Sequence, residues 1–387
     1  MSLRPSLRSL CPALLLAVLL QLLAPRSGRA ETVTSYKYQD YQESGGRIKV
    51  QAHYGLIEQT LGVDARIKIT AVQDTISGAT PTGEPADPAT GLVPLSEMHD
   101  RRKAWTADYS RQFGNVNVSV GAANSRESDY VSTGFSLNTL TDLNNKNTTL
   151  LAGISGTSDD VKVFYQTGRV SKHTLDLIVG VTQLIDENTS VVLNASYGSA
   201  TGYLADPYKL IEKNTELLPG LFLPLTFAEN RPDSREKWIG YASINHSAAA
   251  LKGAVEASYR LYHDTFGLTS HTLAATWLQR LGDAIILSPS VRYYTQSKAD
   301  FYRVSLDGTN ITPGTMPNPA GPFYSADYRL AALDSWTWGL KLAWTPKPAF
   351  QADVAWESYR MTGRDSVTSA SAFPKAGILT LGFRYTW

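Results

Sequence analysis

Residues that could perform acid–base, nucleophilic or metal chemistry are present, but their spacing matches no catalytic pattern. The histidines are scattered singly and include His53, His173, His246, His263 and His271. The sequence has no glycine-rich phosphate loop, no His-Glu-x-x-His and no Cys/His zinc set. The segment Gly153-Ile-Ser-Gly-Thr157 lies within a predicted strand rather than at a strand-to-helix elbow. We therefore predict no enzymatic activity, no catalytic residues, no metal ion and no cofactor; a hydrolase is the least favoured class.

Two short segments echo each other, Ala299-Asp-Phe-Tyr-Arg303 and Ala326-Asp-Tyr-Arg329. Pairing of Asp300 and Asp327 with Arg303 and Arg329 would close an extended hairpin. Together with Glu127-Ser-Asp-Tyr130 they could instead form an acidic cation site, because hard cations prefer clustered oxygen ligands. No fixed spacing singles out a cation, so structural closure is the favoured interpretation.

The last strand gives the clearest indication of the secondary structure that carries these residues. Counting back in twos from Trp387 gives Tyr385, Phe383, Leu381 and Leu379 on one face, and the other face is mixed. A strand of this length with one apolar face is typical of the wall of a membrane barrel. The terminal aromatic residue resembles the sorting signal of Gram-negative outer-membrane barrels. We therefore predict that the barrel-assembly machinery recognises the strand that ends at Trp387.

The same two-residue alternation recurs along the chain, whereas helical periodicity is almost absent. It predicts sixteen strands, with a range of 14 to 18: 33–42, 47–57, 60–73, 102–112, 115–125, 128–140, 147–156, 171–184, 188–200, 236–247, 250–262, 267–280, 284–298, 333–345, 349–361 and 376–387. Alternate connections are short, and the long loops all fall on the other side. This asymmetry predicts an all-β, antiparallel, up-and-down transmembrane barrel with short periplasmic turns and long extracellular loops.

Residues 1–30 are predicted to be a cleaved signal peptide. They begin with a basic region, continue with an apolar core and end with a cleavage site that has small residues at its first and third positions. They contain the only cysteine, Cys11, so we predict a mature domain over 31–387 with no thiol. Loss of the four arginines in this segment takes the Lys and Arg total from 36 to 32, against 35 Asp and Glu. A slightly acidic chain argues against nucleic acid or anionic lipid as the main partner. We expect the barrel to be surrounded by the lipid of the bacterial outer membrane.

Charged and tyrosine side chains occupy the predicted inward positions. The candidate lumen-lining residues are Arg66, Lys252, Glu256, Arg260, Arg292, Tyr294, Asp353 and Glu357. Sixteen strands enclose a lumen too wide for side chains to fill, so these residues would line a water-filled pore of weak charge selectivity. The alternative, compatible with the first, is a static lattice of ion pairs that stiffens the wall.

One long loop contains an apolar, proline-broken segment, which is unusual in water. Its candidate contact residues are Leu217, Leu218, Leu221, Phe222 and Leu223. They would either fold inward as a constriction or contact a partner. Packing against neighbouring loops is the third alternative.

Several segments together resemble an uncharacterised family of predicted outer-membrane barrels, known only as a domain of unknown function. The segments are Ser77-Gly-Ala-Thr-Pro-Thr-Gly83, Glu127-Ser-Asp-Tyr130, Asn145-Lys-Asn-Thr-Thr149, Gly202-Tyr-Leu-Ala-Asp-Pro-Tyr-Lys209, Pro232-Asp-Ser-Arg235, Ser258-Tyr-Arg-Leu-Tyr-His-Asp264 and Arg292-Tyr-Tyr-Thr-Gln-Ser297. The resemblance implies location and fold class, but no site residues.

The alternation, the loop asymmetry and the polar inward faces predict a porin-like channel for small solutes. The alternative function is a structural or docking barrel with an occupied lumen, for a periplasmic or surface partner that is possibly redox-linked or a lipoprotein. A homo-oligomer is also compatible with the sequence.

Overall fold

The computed structural model describes residues 31–165, 167–314 and 316–387, so the predicted signal peptide lies outside the described residues. Sixteen strands form the wall of a closed barrel. They are β1 (Thr32–Glu43), β2 (Lys49–Leu61), β3 (Ala65–Ser77), β6 (Asp100–Phe113), β7 (Val116–Arg126), β8 (Tyr130–Leu143), β9 (Thr148–Lys162), β10 (Arg169–Leu184), β11 (Thr189–Gly202), β14 (Ser234–Ala248), β15 (Gly253–Asp264), β16 (Thr269–Leu281), β17 (Ile285–Gln296), β18 (Leu333–Lys347), β19 (Phe350–Gly363) and β20 (Lys375–Thr386).

Four further strands lie in the loops and form two separate hairpins. These strands are β4 (Ala79–Pro81), β5 (Leu95–Glu97), β12 (Leu210–Leu218) and β13 (Leu221–Ala228). The described helices are single 3-10 turns at Asn144–Lys146, Ala249–Leu251, Tyr328–Leu330 and Ala370–Ala372. No described helix is long and apolar enough to cross a membrane.

Each wall strand pairs antiparallel with the next wall strand along the chain, and β20 closes on β1. The closing register aligns Val33 with Thr386 and Glu43 with Ala376. Closure pairs both edges of every wall strand, which is what a strand inside a membrane requires. The predicted antiparallel barrel and its sixteen strands are confirmed.

The outward face of the wall is mostly apolar, because the backbone alternates faces every residue. On β20 the exposed residues include Leu379, Leu381, Phe383 and Tyr385, as the alternation predicts. On β18 the exposed residues include Trp336, Trp338, Leu340, Leu342 and Trp344. Inward positions are therefore the complementary set on each strand.

Strand β2 departs from this rule. Tyr54 lines an internal cavity together with Lys37, so the more apolar face of β2 turns inward. Its outward face is polar: Gln51 donates to Asp40 over 2.9 Å, and Tyr36 Oη lies 2.7 Å from His53 Nδ1. Hydrophobicity alone does not assign the faces of this strand.

The two ends of the barrel differ in their connections. One end, the turn end, carries connections of two to four residues, such as 62–64, 114–115 and 348–349. The other, the loop end, carries the long connections 78–99, 203–233, 297–332 and 364–374. The segment 163–168 is shorter than predicted because β9 continues to Lys162. We call the four long connections together the cap.

Candidate functional site

The cap is built on an apolar cluster against the inner wall of the loop end. Phe301, Tyr302 and Leu330 of loop 297–332 pack with Phe373 of loop 364–374 and with Leu333 at the start of β18. The lumen-facing rings of Tyr262 and Tyr294 pack on the same cluster. Loop 297–332 therefore folds back onto the barrel, instead of extending away from it.

A second apolar cluster joins the two longest loops. Ile211 packs with Leu306, Tyr324 and Ala326, and Ile211 and Leu306 are fully buried. Beside it, Asn230 and Tyr324 exchange backbone hydrogen bonds of 2.9 and 2.8 Å. Loops 203–233 and 297–332 start from separate strand pairs and meet over the mouth.

A buried ion network fixes this junction. Arg231 lies 2.8 Å from Glu229 and 2.8 Å from Asp327, and Arg329 lies 2.6 Å from Asp327. Arg329 also pairs with Asp206. Glu229 and Asp327 are each only 1% exposed, so removal of one cation would leave a buried carboxylate without its full set of partners.

The network separates the pKa values of its two buried carboxyls. Burial alone would raise the pKa of Asp327, but Arg329 and Arg231 hold that pKa well below its usual range. Burial raises the pKa of Glu229, and Arg231 offsets only part of the rise. Two cations therefore pair with Asp327, whereas one cation pairs with Glu229.

Lys209 links the same network to a third loop. Its side chain is 2% exposed, and Nζ donates to the carbonyl of Pro81 and, over 3.1 Å, to Thr80 Oγ1. The ammonium also lies 5.7 Å from the ring centre of Tyr328. Burial lowers the pKa of Lys209. Loop 78–99 is thereby held to loops 203–233 and 297–332.

A cavity of about 760 Å³ lies between the cap and the inner wall. Cap residues Tyr203, Asp206, Arg231 and Arg329 line one side of it. Wall residues line the other, namely Lys172, Arg235, Lys237, Arg260, Tyr262 and Tyr294. The lining of the cavity combines polar and apolar side chains and carries charges of both signs.

The predicted lumen residues fall in three places. Arg260 and Tyr294 line the cavity under the cap, and Asp353 and Glu357 line a deeper cavity of about 450 Å³. Arg66, Glu256 and Arg292 occupy inward register positions on β3, β15 and β17. Some of them are paired, since Arg66 lies 3.0 Å from Glu58 and Asp353 lies 3.6 Å from Lys341.

Lys252 does not lie on a wall strand. It follows the 3-10 turn Ala249–Leu251 with a φ of 49°, and β15 begins only at Gly253. The prediction that a strand starts at residue 250 was wrong because the alternation continues through the turn. Lys252 belongs to the rim of the turn end.

The apolar loop segment forms the tip of the β12–β13 hairpin. Leu217, Leu218, Leu221, Phe222 and Leu223 are between 42% and 63% exposed. The middle of the hairpin is attached to loop 297–332, where Asn214 donates to Asp307 through its backbone N–H over 2.7 Å and through its side chain over 2.8 Å. This exposure contradicts packing against neighbouring loops. The constriction and partner-contact roles stay predictions.

The echoed segments meet through their backbones rather than through four paired side chains. Tyr302 and Ser325 form a parallel bridge, and Arg303 N–H donates to the carbonyl of Ser325 over 3.0 Å. In the described parts of the chain the ion pairs of Asp327 are with Arg329 and Arg231, and Asp300 and Arg303 form none. The predicted pairing of side chains is found for Asp327 and Arg329 only, and both lie in one segment. The contact between the two segments is therefore made by backbone groups and not by the predicted ion pairs.

Three carboxylates converge beside the cavity, and only two of them belong to the predicted acidic segment. Asp100, Glu127 and Asp129 place carboxylate oxygens within 4.8 Å of one another. Asp100 accepts from Ser128 Oγ over 3.0 Å, and Asp129 accepts from Tyr208. Burial raises the pKa of Glu127. Hydroxyl and backbone donors already stabilise this cluster, so we assign no cation to it.

Sequence reasoning missed Asp206, Lys209, Glu229 and Arg231 as cap residues. Asp206 and Lys209 lie in the Gly202–Lys209 segment on which the family resemblance rests, and that was the available signal. Nothing in the local pattern around Glu229 and Arg231 indicates burial.

The chain belongs to the family described as "Protein of unknown function (DUF3570)", whose profile matches residues 17–379. No curated protein sequence is detectably similar to it.

Solved structures that resemble the chain are outer-membrane proteins of low identity. The siderophore receptor PirA from Pseudomonas aeruginosa has a TM-score of 0.44 and 12% identity, over 92% of this chain and 62% of the receptor. A bacterial polysaccharide outer membrane secretin has a TM-score of 0.48 and 9% identity, over 92% of this chain and 98% of the secretin. The loop L8 deletion mutant of OmpT, an outer membrane protein of Vibrio cholerae, has a TM-score of 0.43 and 7% identity, over 94% of this chain and all of the mutant. The chain thus spans about three fifths of the receptor.

Proposed function

We propose that this DUF3570 protein is a porin-like channel for small hydrophilic solutes in the bacterial outer membrane, with a mouth narrowed by the cap. The observation that carries the proposal is the solvent exposure of charged side chains on the inner wall. Glu256, Arg260 and Arg292 face inward, yet all three are exposed to solvent. A lumen filled by protein would bury such side chains or pair them.

The wall chemistry supports passage of hydrated solutes rather than apolar ones. Inward charges occur with both signs: Glu256 and Arg260 lie on β15, and Arg292 lies on β17. Under the cap, the cavity is lined by arginines, carboxylates and tyrosines. Such a path exchanges water contacts for similar polar contacts, so a small polar solute loses little hydration free energy on entry.

The proposed location brings with it an export and assembly route. The N-terminal 30 residues would direct export and be removed, and the strand that ends at Trp387 would engage the barrel-assembly machinery. The rings of Tyr385 and Trp387 lie 5.4 Å apart at the turn end of the wall. This placement suits an aromatic girdle at the periplasmic interface.

Liposome swelling tests the proposal. Folded protein reconstituted into liposomes is expected to admit small neutral sugars at rates that fall with increasing solute size. Heat-shifted mobility in gels verifies the folded barrel beforehand. Folded protein that leaves the swelling rate of empty liposomes unchanged for every solute would refute the channel.

A second candidate function is docking of a partner at the cell surface. The observation that favours it is the exposed apolar tip of the β12–β13 hairpin, which ends in Leu218, Pro219, Gly220 and Leu221. Apolar surface of this kind is typical of protein contacts. Stoichiometric co-purification of a partner that is lost on Leu218→Ser/Phe222→Ser substitution would support it. Recovery of the barrel alone from native membranes would count against it.

A further inference from the structure

Two basic residues face each other on the outward surface of the wall, beside the exposed Trp336 of β18. Arg360 on β19 is the direct cross-strand partner of Lys375 on β20, and Trp336 on β18 is the direct partner of Arg360. Register partners point to the same face of a sheet. Trp336 is outward, so Arg360 and Lys375 are outward as well, and both are exposed.

Like charges in direct cross-strand register destabilise a sheet. In the described residues neither Arg360 nor Lys375 has a carboxylate within ion-pair distance. The nearby acid Asp334 is paired instead with Arg364, over 3.5 Å. The local charge is therefore positive and uncompensated by the protein, which favours an anionic ligand.

An apolar groove begins beside the same tryptophan. It has a volume of about 610 Å³ and runs across the outward face from β14 to β18. Ala242, Ala257 and Ala275 are among the residues that line it, together with the larger Leu273, Tyr293 and Trp336. The rings of Tyr293 and Trp336 lie 4.6 Å apart at its loop end. Small residues leave a channel on this face that an extended hydrocarbon chain fits.

We propose that the outward face of β14–β20 binds a phosphate-bearing lipid of the leaflet on the loop side. Arg360 and Lys375 hold its phosphate, and the groove beside Trp336 takes one acyl chain. The occupant follows from charge complementarity and from position, because the basic pair is in cross-strand register with Trp336 at the loop-side end of the apolar groove. A lipid phosphate adjoins the end of its acyl chain in the same way. The proposal rests on the membrane location given above and is independent of solute passage.

Lipid titration of the folded barrel in non-ionic detergent tests the site, with bound lipid counted by native mass spectrometry. The probes are bis-phosphorylated lipid A, the same lipid after enzymatic dephosphorylation, and inorganic phosphate. Arg360→Gln/Lys375→Gln is expected to weaken lipid A binding roughly tenfold. The matched control, Lys146→Gln/Lys347→Gln, removes the same charge from exposed residues of the turn end and is expected to bind like wild type.

A second variant distinguishes the contribution of the groove to lipid binding from that of the two basic residues. Ala275→Leu narrows the groove and keeps both cations, so lipid A binding is expected to weaken while the charged surface is unchanged. Gel mobility and thermal unfolding establish that each variant is folded. Unchanged lipid A affinity in the charge variant, or an equal loss in the control, would overturn the phosphate site. Unchanged affinity in Ala275→Leu would overturn the groove.

The remaining probes identify the source of the phosphate. Weaker binding of dephosphorylated lipid A supports a phosphate contact, whereas equal binding contradicts it. Inorganic phosphate is expected to leave lipid A bound, and its competition at equal concentration would indicate a free-anion site instead. None of these outcomes depends on conductance, so failure of the channel and failure of the lipid site are distinguishable.

Discussion

Arg231 and Asp327 lie 96 residues apart in the chain, and their side chains pair over 2.8 Å inside the cap. This pair joins loop 203–233 to loop 297–332 over the mouth of the barrel. Both side chains are at least nine-tenths buried, at 9% and 2% exposure. The junction is therefore a packed interface between loops rather than a surface ion pair.

Replacement of Arg231 is expected to release the cap without unfolding the wall. Arg231→Met leaves Glu229 without its near cation and Asp327 with Arg329 alone, at a cost of about 3–5 kcal/mol. Hydrogen exchange is expected to accelerate in 203–233 and 297–332 while β14 and β18 stay protected. The control Arg364→Met removes an exposed arginine that lies 3.5 Å from Asp334. It is expected to leave hydrogen exchange in both loops unchanged.

The stabilisation contributed by Asp327 is expected to disappear in acid. Its pKa in the folded protein lies well below its ordinary value of 3.8, so its contribution is full above pH 3.8 and is lost as pH falls toward the folded pKa. The difference in cap protection between wild type and Asp327→Asn should thus be large at neutral pH and shrink progressively below about pH 4. A difference that grows on acidification would contradict the assignment of Asp327 as the ionised partner.

Lys209→Met is expected to loosen loop 78–99 selectively. The substitution removes the donor to Pro81 and Thr80 and leaves a buried carbonyl unsatisfied, which costs about 1–3 kcal/mol. Limited proteolysis should then cut within 78–99 faster than in wild type. Lys213→Met is the matched control, because Lys213 donates to Ile311 in a different loop, and it is expected to leave 78–99 resistant.

Inward arginines are expected to set the ion preference of the lumen. Arg260→Gln/Arg292→Gln should lower the anion-to-cation permeability ratio about twofold to fivefold, since a unit charge about 4 Å from an ion in water contributes ~1 kcal/mol. Glu256→Gln should shift the ratio in the opposite direction. Reversal potentials in a salt gradient measure both changes. Identical reversal potentials for all variants would mean that the permeating ions do not pass these residues.

The wall was predictable because its signal is local. Two-residue alternation identifies a strand such as β20 from consecutive residues alone, and all sixteen wall strands were found in this way. Alternation was less informative where the inward and outward faces of a strand are similarly polar, or where it continues into a turn. The apolar face of β2 turns inward at Tyr54, and alternation through the turn at Lys252 moved a strand boundary.

The cap was not predictable, because its interactions are between residues distant in sequence. Asp206 meets Arg329 across 123 residues and Lys209 meets Pro81 across 128. No local pattern shows that Glu229 is buried. The β12–β13 hairpin did carry a local signal, since Pro219-Gly220 interrupts two apolar runs in the manner of a tight turn, and that signal was missed.

Single-channel recording in planar bilayers tests the central claim, that the barrel is an open path narrowed by its cap. Folded wild-type protein is expected to produce discrete conductance steps, and Arg231→Met is expected to produce larger or more frequently open steps. The gain should be absent from the Arg364→Met control. Folded wild type and folded Arg231→Met that both insert without conducting would contradict the account.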